Sequence, residues 1–349
     1  MTKLFLHFGT HKTGSTSIQK SLSDLNTQNW RLIRLGRSAN ESHNLRSAFE
    51  SSETTRDSLN EGSKIQELYK VNLGQQPIHP NNLISGEALE SFSKDAFTAA
   101  FRFFSVQNFD VRFIGYLRNL NDSVNSRFQQ RLKGSPLFAL KKNEWVGRLA
   151  SCMPRYQQML ERLDASVPHQ NIRLFAFDPR SFPAQNVVVD FCLRLGIDAD
   201  HNKFKSANQS LSIVGTKVLW ILAQQKDKDI GSRSNWKSLV SNVIEDFSNA
   251  DSFALDTSCL QTKLNELKSL HGEIDERLEK HRPFSLFEIK PPKDSSCLIC
   301  CADQLLKLNK EEKDIVRSKI KTSTGAPHIS ITGVDLALSY ARQVIANSD

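Results

Sequence analysis

The sequence predicts a three-layer α/β fold, a central parallel sheet covered by helices on both faces, followed by a C-terminal region that is mainly helical. Two observations predict it. Over roughly the first two hundred residues, short apolar runs alternate with stretches whose apolar residues recur at helical spacing. Strands alternating with helices imply a parallel sheet buried on both sides. Beyond about residue 200 the strand pattern fades and helical periods dominate.

The elements follow in order. Lys3–Phe8, Asn82–Ser85, Val111–Leu117 and Ile172–Phe177 read as buried strands, because each is a short apolar run bounded by polar or turn residues. Ser15–Leu25, Asn121–Leu132, Trp145–Leu163 and Ala184–Leu195 read as amphipathic helices between them. Residues 36–81 are polar with weak periodicity and are expected to form helices and loops over the sheet edge. Ser212–Gln225, Trp236–Phe247, Cys259–Lys280 and Val334–Ala346 read as helices, interrupted by the stretch Pro283–Pro292. Residues 1–200 are thus expected to form an α/β core, and 201–349 a helical region that is either a second domain or a cap on the first.

Composition narrows the partners. With 39% hydrophobic and 24% charged residues, the chain has enough apolar material for a sizeable core. The net charge of +8 points to anionic ligands. A nucleic-acid surface would need a basic stripe interleaved with aromatics, whereas Lys and Arg are scattered here, and the dense groups Lys226–Lys228 and Lys310–Lys313 are interrupted by acids. The best apolar run, Val218–Ala223, falls far short of the roughly 18 residues of a membrane helix. The N-terminus reads as a first strand and not as a signal peptide, so the chain is expected in the cytosol. Six cysteines are too few for a disulfide framework. Cys297, Cys300 and Cys301 lack the fourth ligand of a zinc site, and their spacing suggests one helical face on which they pack as small hydrophobes without metal.

The chemistry concentrates in Gly9-Thr-His-Lys-Thr-Gly-Ser-Thr-Ser17, between the first strand and the first helix. Glycines let the backbone turn tightly, and successive N–H groups entering a helix form an anion nest. Thr13, Ser15, Thr16 and Ser17 offer hydroxyls, and Lys12 offers a full charge. A nucleoside-triphosphate loop reads G-x-x-x-x-G-K-[ST]. Gly9 and Gly14 have that spacing, but Ser15 follows Gly14 and the lysine precedes it.

Lys12-Thr-Gly-Ser-Thr16 after a first strand resembles the 5′-phosphosulfate loop of sulfotransferases that use PAPS (3′-phosphoadenosine 5′-phosphosulfate). Phe113–Ser126, a strand ending in Arg118 and a helix carrying Ser126, resembles that family's 3′-phosphate motif, although Leu120 stands where the family usually has proline. A more diffuse similarity runs through Ile172–Asp178, Phe191–Ile197 and Asn208–Ser212. The resemblance covers roughly residues 1–215. It implies a P-loop NTPase-like sheet topology, PAPS as donor, PAP as product, no metal, and a hydroxyl acceptor such as that of a glycan. It also implies that Thr10, His11, Lys12, Thr13, Gly14, Ser15, Thr16 and Ser17, with Arg118 and Ser126, bind the donor.

Sulfuryl transfer, like phosphoryl transfer, passes in line through a loose transition state, so the protein chiefly positions groups and stabilises charge. Lys12 is the residue expected to meet the charge growing on the leaving oxygen. Two residues are candidates for the base that takes the acceptor proton. Glu87 follows a strand end, where sites of open α/β sheets lie, and matches an acidic position of bacterial members of the family. His43, in Ser42-His-Asn-Leu45, is the second choice. Two alternatives stay open: a P-loop kinase using ATP, for which Asp178 at a strand end would be the metal-holding acid, and a non-catalytic binder of nucleotides or polyanions.

Overall fold

In the computed structural model, residues 1–10, 13–34, 40–50, 79–140, 145–198, 204, 210–225, 227, 229–287, 298–320 and 332–347 are described. They gather into two compact units, the first drawn from residues 1–119, 154–208 and 267–287, the second from 120–153, 209–266 and 288–349.

The first unit is an α/β sandwich. Its strands are β1 (Thr2–Gly9), β2 (Trp30–Leu32), β3 (Asn81–Ser85), β4 (Phe109–Arg118) and β5 (Ile172–Phe177). All pairings are parallel, in the order β2-β3-β1-β4-β5, and a sixth strand from Leu278–Glu279 extends the sheet beyond β5. The predicted parallel sheet is therefore present. Two strands were not legible. Trp30–Leu32 is too short to show a period, and Leu278–Glu279 lies at the end of what reads as one long helix, Cys259–Lys280.

Register fixes which side chains share a face. Phe5, Leu83, Ile114, Tyr116, Phe175 and Phe177 pack as one cluster with Ile18 and Leu22 of the helix Ser15–Ser21 and with Val188 and Phe191 of the helix Val187–Leu195. The opposite face carries Phe113, whose ring meets Phe97 of the helix Lys94–Val106 edge-on at 5.7 Å. Each helix is bounded by short-range chemistry. Ser93 and Asn186 accept first-turn amides from Ala96 and Val188, and the second helix ends at Gly196 with φ 67°. The predicted helix Trp145–Leu163 is two, Trp145–Ser151 and Tyr156–Asp164, because Pro154 cannot continue the hydrogen-bond ladder. Close packing sets one glycine: a Cβ on Gly115 would stand 2.3 Å from the ring of Phe8, its neighbour across β1 and β4.

The second unit is mainly helical. Its centre is the helix Ile213–Gln224, in which every residue from Ile213 to Ala223 is buried. Phe128 stacks on Trp220 with centroids 5.6 Å apart, and Trp236 donates its indole N–H to the Leu132 carbonyl at 3.1 Å. Lys217 is buried, and its ammonium lies 2.7 and 2.8 Å from the two carboxylate oxygens of Glu312. Two short strands, Ala254–Leu255 and Leu298–Ile299, pair in parallel. This second pair corrects the cysteine reading. Cys300 and Cys301 are exposed and follow extended backbone, where side chains alternate and do not share a helical face. Cys297 lies outside the described residues. Among the described residues no helix is long and apolar enough to cross a membrane.

Candidate active site

The site is read at the carboxyl ends of β1, β3, β4 and β5. In an open parallel sheet, ligands bind where neighbouring connections leave in opposite directions. Here the chain leaves β1 toward β2 on one side, while β4, hydrogen-bonded to β1 on the other, leads on toward β5. Gly9, the last residue of β1, pairs with Tyr116, and Thr10 donates its hydroxyl to the Tyr116 carbonyl at 2.8 Å. The start of the loop is thus tied to the strand that ends in Arg118.

The turn itself is compact. Thr13 donates its amide at 3.1 Å and its hydroxyl at 2.6 Å to the Thr10 carbonyl. Both threonine hydroxyls are therefore used in shaping the loop. A Cβ on Gly9 would come within 2.4 Å of the Ser15 Cβ, so the loop folds back onto its own strand. Gly14 has φ 78°, a left-handed value natural to glycine, and a Cβ there would press to 2.5 Å from Val187. The first helical bond runs from the Ile18 N–H to the Gly14 carbonyl, so the amides of Ser15, Thr16 and Ser17 lie ahead of the ladder. Ser15 and Ser17 are buried and Thr16 is half-buried. His11 and Lys12 lie outside the described residues.

The remaining predicted residues are distributed as follows. Arg118 closes β4 with its guanidinium 5.4 Å above the Phe177 ring, while its amide donates to the Tyr156 hydroxyl at 3.2 Å. Ser126 is half-buried in the helix Leu120–Gly134 of the second unit. Glu87 is half-buried and opens a short 3₁₀ turn, Glu87–Ser91, directly after β3. The preceding Gly86 donates its amide to the His7 carbonyl at 2.9 Å, which anchors this turn to β1. His43 belongs to the helix Ser42–Phe49, but its side chain lies outside the described structure.

Several polar groups here carried no sequence signal. Glu41, fully buried, donates its amide to the Ser85 carbonyl at 2.9 Å and accepts from the Asn44 amide group at 2.7 Å. It sits in the polar stretch read as edge loops, where nothing marks a buried carboxylate. His7 is fully buried in β1, with Nδ1 2.8 Å from the Ser85 hydroxyl, which also accepts from Gln19 at 3.1 Å. Its Nε2 has no hydrogen-bond partner among the described residues.

Burial pushes the His7 imidazole down to about 3, against 6.5 for a free histidine. Between those values the unfolded chain takes up a proton that the folded chain does not. The contribution of neutral His7 is therefore complete above about pH 6.5 and is lost on a steady slope as pH falls toward 3. A series of urea denaturations between pH 4 and 7 should show this slope in the wild type. It should be flattened in His7→Gln, and an equal slope in both would contradict the assignment.

Beyond β5, charge pairs tie down the chain. Asp178 is buried; one carboxylate oxygen accepts from Arg180 at 3.3 Å and the other from Arg282 at 2.7 Å. Desolvation opposes its charge, but the hydrogen bonds from Arg282 and Arg180 prevail and hold it below its ordinary value. Asp190, fully buried, accepts from the Tyr116 hydroxyl, from Arg194 at 2.8 Å and from His281. Burial and this carboxylate hold the Tyr116 phenol well above its ordinary value. With Asn119 donating to the Ser285 carbonyl at 2.8 Å, residues 281–285 form a strap across the ends of β5 and β4. In the sequence this strap reads only as a proline-containing break.

No protein-family model matches the sequence, and no curated protein matches it. Among solved structures, a sulfotransferase from Alicyclobacillus acidocaldarius is similar over 57% of this chain and 83% of its own, with a TM-score of 0.37 and 13% identity. A likeness at that level carries no argument about activity.

Proposed function

We propose that this protein is a sulfotransferase that moves a sulfuryl group from PAPS to an acceptor hydroxyl of a glycan or other small or polymeric alcohol. The observation that carries the reading is the pairing of Gly9 with Tyr116. It sets the glycine-bounded loop after β1 beside the strand that ends in Arg118, at the edge where ligands of parallel sheets bind. In this reading Lys12 and the loop amides face the 5′-phosphosulfate, and Arg118 with Ser126 holds the 3′-phosphate. The bond from sulfur to the donor oxygen breaks as a bond to the acceptor oxygen forms. Lys12 stabilises the charge left on the bisphosphate, while Glu87 takes the acceptor's proton.

The kinase alternative is weakened by Asp178. A metal-holding acid needs free carboxylate oxygens, and both of its oxygens are engaged by guanidinium groups. Calorimetry with PAP and ATP, each with and without Mg²⁺, tests the donor. PAP should bind more tightly than ATP and without Mg²⁺; Mg²⁺-dependent ATP binding with none of PAP would refute the proposal. Arg118→Ala should cost more PAP affinity than Ser126→Ala, because Arg grips phosphate with two N–H groups and serine with one hydroxyl. Both losses should shrink for a nucleotide lacking the 3′-phosphate.

A further inference from the structure

The second unit contains a cavity of about 790 Å³ that none of the chemistry above uses. It lies between the end of the helix Leu120–Gly134, the segment Ser135–Leu140, the end of the helix Ile213–Gln224 and the helix Arg233–Asp246. Its volume falls within the roughly 300–1,000 Å³ of small-molecule sites.

The lining is graded. Leu222, Ala223, Ile230 and Trp236 are buried and make an apolar floor, and the Trp236 N–H is already given to the Leu132 carbonyl. Leu137 stands at the wall with 64% of its surface exposed. Arg233 and Lys237 are exposed lining residues four positions apart, hence on one face of their helix. Neither has an ion-pair partner among the described residues. One carboxylate opposes them, Asp227, whose Oδ1 accepts the amides of Asp229 at 2.9 Å and Ile230 at 3.2 Å.

An apolar floor with little to hydrogen-bond suits a hydrocarbon chain or ring, and two exposed cations with no ion-pair partner among the described residues suit an anionic head. We infer that this cavity binds one amphiphilic anion, an aliphatic or aromatic body carrying a single carboxylate, sulfate or phosphate. The inference does not depend on the donor reading, since every residue in it belongs to the second unit.

Gly134 supplies the sharpest test. It lines the cavity and is exposed, and a Cβ built on it meets nothing within 4 Å, so a larger side chain is accommodated at the cavity wall without displacing the fold. Titration calorimetry of the full chain with decanoate and with 1-decanol, both below micellar concentration, is the experiment. Decanoate should bind with a stoichiometry of one and about tenfold more tightly than decanol, a modest factor because exposed charges contribute little each. Gly134→Leu should weaken decanoate binding at least about tenfold, as loss of apolar contact predicts, with the thermal unfolding midpoint unchanged. The pair Arg233→Ala and Lys237→Ala should bring decanoate down to the affinity of decanol. Absence of decanoate binding, equal binding of decanol, or decanoate binding unaffected by Gly134→Leu would each overturn the inference. If Gly134→Leu lowers the unfolding midpoint, Ala223→Met takes its place under the same criteria.

Discussion

Glu87→Gln is expected to lose between about a hundredfold and ten-thousandfold of sulfuryl-transfer turnover while keeping its affinity for PAP nearly unchanged. A hydroxyl is a poor nucleophile at neutral pH, and a positioned carboxylate contributes on that scale by taking its proton. Glutamine keeps the shape of the side chain and removes the basicity. The supporting geometry is the attachment of the Glu87 turn to β1 through the Gly86 amide and the His7 carbonyl, with Ser85 paired to His7 in adjacent parallel strands. Glu87 therefore starts from the same edge of the sheet as the loop after Gly9. Single-turnover assays with labelled donor measure the loss, and PAP calorimetry measures the affinity. Normal turnover in Glu87→Gln together with an inactive His43→Ala would move the role to His43.

Lys12→Ala is expected to reduce turnover by about a hundredfold or more, the scale for removing one preorganised charge donor to a developing anion. Its effect should fall more on turnover than on PAP affinity, because the charge it meets grows in the transition state. Lys12→Arg separates charge from geometry: a planar guanidinium on a longer stem keeps the charge but changes where it sits, so it should recover only part of the rate. Full activity in Lys12→Ala would remove the residue from the mechanism, and loss of PAP binding with unchanged turnover at saturation would make it a ground-state contact.

Both residues were singled out by signals that are local. A glycine-bounded turn between an apolar strand and a helix, and an acid directly after a strand, are patterns within ten residues of sequence. The buried polar groups around them were not legible. Glu41 looks like any acid in a polar stretch, and only the pairing of its amide with Ser85 brings it inside. His7 sits in an apolar strand, but which neighbour receives its Nδ1 depends on a strand 78 residues away. Asp178 read as an acid that a metal could use until Arg282, far along the chain, appeared against it.

The sequence by itself determined the strand and helix periods of the first two hundred residues, and with them the parallel sheet and the place of the glycine-bounded loop after β1. Periodicity is enough for this, because an apolar run that must be buried on both faces has few other ways to satisfy its backbone. Tertiary structure alone decided the remainder. Leu278–Glu279 became a strand because β5 offered it an open edge, not because two residues carry a period. Cys300 and Cys301 lost their expected helical face because extended backbone pairs Leu298–Ile299 with Ala254–Leu255. Arg233 and Lys237 came to line one cavity with Gly134 and Leu137, far earlier in the chain, only through tertiary packing. Each of these depends on which distant segments meet, and contacts between distant segments leave no mark in local spacing.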